Sequence, residues 1–254
     1  MTEVRANNLT FHVQPLSTPQ TSPDAPLVVF LHGLVVDNLS GLYLTLATPA
    51  ATTGTRTLCY DLRGHGRSER PPTGYTLDDS VTDLHALLDA LGEHRPVRLV
   101  GNSYGGLLAL AFAAHCPDRV ERIMLIESLV PTPGWGERMA DTLTDAAVGA
   151  FDHNFTHMSG RKWDRTVNQV EQLIGHTTLV ADMGEQEPFS PERYAMVSMP
   201  VLAVYGSESE LLPEVSVLQK YLPQLELEIL PEQSHMLLTR ATGLVREVLA
   251  RWLR

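Results

Sequence analysis

The stretch PVRLVGNSYGGLLALAFAAHC (96–116) sets one serine, Ser103, among three glycines at the junction of a β-rich run and a helix-forming run. Glycine tolerates positive φ and close backbone approach, so Gly-x-Ser-x-Gly at such a junction can make a turn too tight for other residues. That turn would lift the Ser103 hydroxyl out at the end of a strand. A glycine-rich βα loop without chemistry has the same five letters, and the segments on either side have to decide between the two.

Those segments alternate. PLVVFLHG (26–33) and TRTLCYDLRGHG (55–66) are short apolar runs ending at glycine, as strands buried on both faces should read. Between Asp78 and Gly92 the apolar residues Val81, Leu84, Leu87, Leu88 and Leu91 recur at helical spacing, with acids at the start and glycine where a helix ends. RIMLIES (122–128), PVLAVYG (200–206) and LELEIL (225–230) give further strands, and TGLVREVLARWL gives a closing amphipathic helix. From about Pro131 to Met199 the rhythm changes to prolines, aromatics and helical pieces, which predicts a helical cap (131–199) inserted within a single domain (1–254). The expected class is α/β: a mostly parallel sheet flanked by helices, with ligands at the carboxyl ends of the strands.

Composition narrows the function. Nineteen basic against thirty acidic side chains leave a formal charge of −11, which repels phosphate backbones and argues against a nucleic-acid partner. The start MTEVRANNLTFHV is no secretion signal, and nowhere do eighteen apolar residues run together, so a cytoplasmic protein without membrane attachment is expected. Cys59 and Cys116 lack metal-ligand spacing and read as reduced thiols. His153 and His157 are four apart but lack the glutamate of a zinc-binding helix and read as solvated surface, so no metal is expected. Neither a phosphate loop nor a dinucleotide fingerprint occurs, so no cofactor is expected. The partner is a small-molecule substrate, with a homodimer left open.

Nucleophilic catalysis by serine needs a base, an acid to orient it and N–H donors for the oxyanion. His235, in LPEQSHMLL, follows the last strand run and precedes the final helix, where a base could swing back over Ser103. His32 and Gly33 follow the first strong strand, and the backbone N–H groups of Leu34 and Tyr104 would complete a two-donor oxyanion hole. His32 is placed both as a brace for that loop and, with the cap residues Trp135 and Trp163, among candidate substrate contacts; packing of the two tryptophans is the competing reading.

LHGL, DLRGHGRS, GNSYGG and the late histidine together resemble the α/β-hydrolase fold superfamily, from about Pro26 to the C-terminus. The resemblance implies a serine hydrolase in which Asp61 and Arg63 do structural work. It also implies Gly-x-x-Asp after the strand preceding the histidine, and here the sequence departs from the pattern. The corresponding stretch is GSESELLP, so the acid slot falls on Ser209. Glu208 or Glu210 could substitute from next door, the site could lack an acid, or the acid could have moved to Glu127 at the end of RIMLIES, 24 residues after the serine. The last is the placement in haloalkane dehalogenases and zearalenone-type lactone hydrolases, which this segment resembles. A buried glutamate at a strand end needs a partner, and an imidazolium is a natural one.

The expected activity is hydrolysis of an ester, thioester or lactone of a small to medium apolar metabolite, a natural-product biosynthetic intermediate among the options, through an acyl-enzyme on Ser103. Two alternatives stay open: carbon–carbon bond hydrolysis with the same triad, and a ligand-binding pseudoenzyme or receptor on the same fold, suggested by the missing Gly-x-x-Asp.

Overall fold

The computed structural model describes residues 2–147 and 161–254. Eight strands form one sheet: β1 (Thr2–Ala6), β2 (Leu9–Leu16), β3 (Leu27–Leu31), β4 (Arg56–Tyr60), β5 (Val97–Asn102), β6 (Val120–Ile126), β7 (Val201–Gly206) and β8 (Leu225–Leu230). Their spatial order is β1-β2-β4-β3-β5-β6-β7-β8, with β1/β2 and β2/β4 antiparallel and every later pair parallel. The order reverses at β3, whose neighbours are β4 and β5, so a crevice opens beyond the carboxyl ends of these central strands.

Helices cover both faces. They are α1 (Leu39–Leu42), α2 (Thr48–Thr52), α3 (Leu77–Ala90), α4 (Tyr104–His115), α5 (Trp135–Ala147), α6 (Arg161–Gly175), α7 (Leu179–Gly184), α8 (Pro191–Ala195), α9 (Val215–Tyr221), α10 (Leu237–Arg240) and α11 (Thr242–Trp252). Strand side chains alternate between two cores. Val29, Leu31, Leu58, Tyr60 and Leu99 pack with α3 and α4, whereas Val28, Phe30, Cys59, Val100 and Met124 pack with α1 and α11. Helix α4 is apolar all round and buries every residue from Tyr104 to Ala114, as a helix lying directly behind the sheet must. Helix α3 is amphipathic and starts with a capping box between Thr76 and Asp79. Cys59 and Cys116 are both free thiols.

The sequence reading missed β1 and β2, which hang an antiparallel hairpin on β4. Their link, Asn7-Asn8, takes φ of 45° and 61°, a conformation that asparagine tolerates and the right-handed twist of a hairpin requires. Between β6 and β7 stand α5 to α8, in the segment expected as a cap. Its inner face carries Leu143, Val170, Leu173, Leu179, Met183 and Phe189 into the larger core. Polar ties fix it as well: the Asp182 carboxylate accepts the Tyr75 N–H at 2.7 Å, and the Thr178 N–H donates to the Pro72 carbonyl at 3.0 Å. His153 and His157 lie outside the described residues, as does the Trp163 side chain.

The glycines around Ser103 are needed for space. A Cβ on Gly101 would overlap the carbonyl of Gly105, and one on Gly105 would overlap the carbonyl of Leu31, so strand β5, helix α4 and strand β3 touch backbone to backbone. Gly101→Ala is therefore expected to destabilise the fold by about 2–3 kcal/mol, the scale of overpacking in a closed core. Urea unfolding followed by circular dichroism would show it, and an unshifted midpoint would mean that these backbones part at no cost.

Candidate active site

Strand ends converge on Ser103. The residue links β5 to α4 with φ 53° and ψ −119°, a region that non-glycine residues rarely enter. Hydrogen bonds hold it there: the Ser103 N–H donates to the Ile126 carbonyl at 3.0 Å, and the Ser103 carbonyl accepts from Gly106 N–H at 3.0 Å and from Leu129 N–H at 3.3 Å. Tyr104 opens helix α4, so its N–H has no acceptor within the helix and lies at the positive end of the helix dipole. Its phenol is buried against Ser80 at 3.0 Å, and burial pushes its pKa up to about 12.

The loop after β3 lies against the serine. The Cβ position of Gly33 would be 3.5 Å from Ser103 Cβ and 3.6 Å from both Asn102 Nδ2 and Asp37 Oδ2. Asp37 organises this loop by accepting the N–H groups of Gly33 at 3.1 Å and Asn38 at 2.9 Å. Leu34, half-buried, sits between Gly33 and Val35, and Val35 takes φ 67°, an outlier for a β-branched residue. Its N–H is held by His65 Nε2 at 2.8 Å, while the His65 Nδ1–H donates to the Arg63 carbonyl at 2.8 Å. Burial, reinforced by neighbouring His32, lowers the His65 pKa to about 3, so the ring is neutral and stays an acceptor.

His32 corrects one expectation. It is fully buried; its Nδ1–H donates to the Gly33 carbonyl at 2.6 Å and its Nε2 accepts the Leu62 N–H at 3.0 Å. Both ring nitrogens are committed to backbone, so His32 braces the loop and cannot contact substrate. Trp135 is likewise buried, with its indole N–H on the Glu187 carbonyl at 3.0 Å, so it packs the inserted helices in place.

The candidate acids differ in geometry. Glu127 follows β6 with φ 49°, and its carboxylate is fully buried. Oε1 accepts the Gly206 N–H at 2.6 Å, and Oε2 accepts both the Ser209 hydroxyl at 2.5 Å and the His235 Nδ1–H at 3.1 Å. Glu208 and Glu210 are exposed, whereas Ser209 between them is buried, so the two neighbouring acids face away from the carboxylate that meets His235. The sequence reading treated Ser209 as a lost acid and missed it as a hydrogen-bond donor. The signal was present in its position, because the slot that would hold an aspartate against the histidine is also within reach of Glu127.

In the loops after β3, β6 and β7 and on α5, the partly buried apolar residues Leu34, Leu129, Leu211, Leu212 and Met139 pack against the larger core. Among the described residues no group of three or more His, Cys, Asp or Glu could hold a metal ion, and no helix is long and apolar enough to cross a membrane.

Comparison with known proteins agrees with this fold. Residues 26–172 match the family described as alpha/beta hydrolase fold. A non-heme chloroperoxidase of Streptomyces lividans is 34% identical over 214 residues, covering 73% of this chain and 75% of its own. Among solved structures, a thermophilic esterase from Thermogutta terrifontis superposes with a TM-score of 0.76 at 19% identity, over 100% of this chain and 97% of the other. An enol-lactonase from Burkholderia xenovorans LB400 gives 0.76 at 20% identity, over 99% of each chain. At these identities the two structures speak for the fold.

The neutral His65 has a pH signature. Native His65 takes up its proton only near pH 3, whereas an unfolded imidazole takes one up below about pH 6.5, so between these values the unfolded state binds more protons. Stability therefore falls as pH drops through this window, by up to about 1.4 kcal/mol per pH unit from this group. In His65→Gln that contribution vanishes. The difference in urea stability between wild type and variant, measured at pH 7 and at pH 4.5, should shrink or reverse toward acid; a pH-independent difference would contradict the assignment.

Proposed function

The chain belongs to the alpha/beta hydrolase fold family, and on that footing we propose that it cleaves an ester, thioester or lactone of a small to medium apolar metabolite through an acyl-enzyme on Ser103. The observation that carries this reading is the buried Glu127 carboxylate on His235 Nδ1 at 3.1 Å, together with the strained backbone at Ser103. In this mechanism His235 Nε2 removes the Ser103 proton as the hydroxyl attacks the carbonyl carbon, and Glu127 stabilises the imidazolium that forms. The N–H groups of Leu34 and Tyr104 receive the oxyanion, Tyr104 with the help of the helix dipole. His235 then returns its proton to the leaving group, and water repeats the sequence on the acyl-enzyme. Helices α5 to α8 act as a cap whose apolar underside receives the substrate.

Serine at the nucleophile position separates this chemistry from alkyl-enzyme formation, which needs a carboxylate there. The reading as a binding protein drew on Ser209 in the acid slot. With Glu127 on His235 that motive is gone.

Charge supports an uncharged substrate. The loops after β3, β6, β7 and β8 (32–38, 127–133, 206–213 and 231–238) carry Asp37, Glu127, Glu208, Glu210 and Glu232 and contain neither lysine nor arginine; the loop after β4 does carry arginines, of which Arg63 is paired with Asp83. A carboxylate on the substrate meets repulsion from the first four loops without a cation among them to offset it.

Two outcomes are expected. A fluorophosphonate should add stoichiometrically to Ser103, as read by intact mass and peptide mapping. The labelling should be lost in His235→Ala, and Glu127→Gln should lower kcat by roughly two to four orders of magnitude. An unlabelled but folded wild-type protein would remove the acyl-enzyme reading. Second, neutral p-nitrophenyl esters should exceed hemisuccinate-type esters of equal size by about tenfold or more in kcat/KM; equal rates would place the substrate away from these acids.

A further inference from the structure

We propose that Ser209 is a positioning residue for the Glu127–His235 dyad, an assignment that rests on the triad reading above. The site assembles a fully buried carboxylate from an amide, a hydroxyl and an imidazole. Of these, the Gly206 amide holds Oε1, and Ser209 is the donor that shares Oε2 with His235. A carboxyl group turns readily about its last side-chain bond, because that torsion has only broad, shallow minima. One anchored oxygen therefore leaves the plane of the carboxylate open, and the second anchor fixes the direction in which Oε2 meets the imidazole.

The hydroxyl is itself aimed. Ser209 is buried, and its oxygen accepts the Leu211 N–H at 3.2 Å. That contact occupies a lone pair and leaves the single hydroxyl proton for Glu127. The same loop is fixed by Ser209 N–H on the Gly206 carbonyl at 3.2 Å and by Glu208 N–H on the Gln233 carbonyl at 2.8 Å. The segment carrying Ser209 is thereby tied to the one carrying His235. Serine at this position thus acts through the acid that replaced it, by donating to a carboxylate delivered from β6. A hydrogen bond to a buried charged group is among the stronger ones a hydroxyl makes.

The test uses the purified full chain with p-nitrophenyl butyrate. Ser209→Ala should lower kcat about 10- to 100-fold with KM within about twofold of wild type, as expected for loss of a charge-assisted bond felt in the transition state. Ser209→Thr, which restores the hydroxyl, should recover most of the loss. Ser209→Cys keeps the volume with a weak donor and should fall with the alanine variant, which covers the case in which alanine does not fold. In a Glu127→Gln background, Ser209→Ala should change kcat less than about twofold, because the two residues act as one unit. Wild-type kcat in Ser209→Ala, or an equal loss in both backgrounds, overturns the proposal. An independent arm follows the His235 Nδ1–H proton by NMR, identified by its absence in His235→Ala. It should shift upfield or broaden in Ser209→Ala and return in Ser209→Thr, and an unchanged signal also overturns the proposal. Failure of the triad reading itself would show separately, as a wild-type protein that fluorophosphonate leaves unlabelled.

Discussion

The buried carboxylate of Glu127 is the interaction on which the site depends. A charge with no access to water is costly unless donors replace its hydration, and here the donors come from different parts of the chain. Gly206 ends β7, Ser209 lies in the loop that follows, and His235 lies beyond β8. They meet at one carboxyl group only because β6, β7 and β8 are adjacent and parallel, with Ile126 level with Val204 and Gly206 level with Leu230. The register of the sheet's edge is thus expressed as a hydrogen-bond clasp. The Tyr205 hydroxyl on the Ser128 carbonyl at 2.7 Å adds a further tie between β7 and the residue after the acid.

Backbone strain follows the same geography. Outside the Asn7-Asn8 turn, the described non-glycine residues with positive φ are Val35, Ser103, Glu127 and Glu232, which lie just beyond β3, β5, β6 and β8. Each such conformation costs about 1–3 kcal/mol and persists only where its surroundings over-determine it. Before Val35, Ser103 and Glu127 the surroundings are strands packed into both cores, so the strain at their ends is offset by cores that have nothing to do with chemistry; β8, before Glu232, is half-exposed. On the proposed mechanism the pattern fits preorganisation: Ser103, Glu127 and the loop after β3 are held in place by the fold itself.

Much of this was legible in the sequence, and the limits have physical causes. The parallel strands and the helices α3, α4 and α11 announce themselves because burial on one or two faces writes a period into the residues. Ser103 is readable because only glycine permits the contacts at positions 101 and 105. The hairpin β1–β2 was missed although Asn7-Asn8 between alternating residues is a turn signal. Glu127 could be ranked but not fixed, because the choice among acids depends on which side chain turns inward. Spacing cannot report that: Glu208 and Glu210 are as near to the acid slot in sequence as residues can be, yet both are exposed. His32 and His65 were underread for a related reason, since a loop histidine looks the same in sequence whether it meets substrate or, as here, backbone.

A carboxylate at the end of β6 is bound to the serine turn in a way that one after β7 would not be. The Ser103 N–H is held by the Ile126 carbonyl and the Ser103 carbonyl by the Leu129 N–H, so residues on either side of Glu127 hold the Ser103 backbone. Ser103 and Glu127 are therefore parts of one small hydrogen-bonded unit, and only His235 arrives from elsewhere. That unit is also the root of the inserted helices, since the Pro131 carbonyl accepts the Phe189 N–H at 3.3 Å and Leu129 and Val130 join the core that the helices close. A shift of the helical segment on its root would be felt at the acid and the serine together, leaving their mutual geometry least affected. The contact exposed to such a shift is the one to His235, and it is flanked by Ser209, whose hydroxyl holds Glu127, and by Glu208, whose N–H holds the Gln233 carbonyl in the loop that carries the histidine.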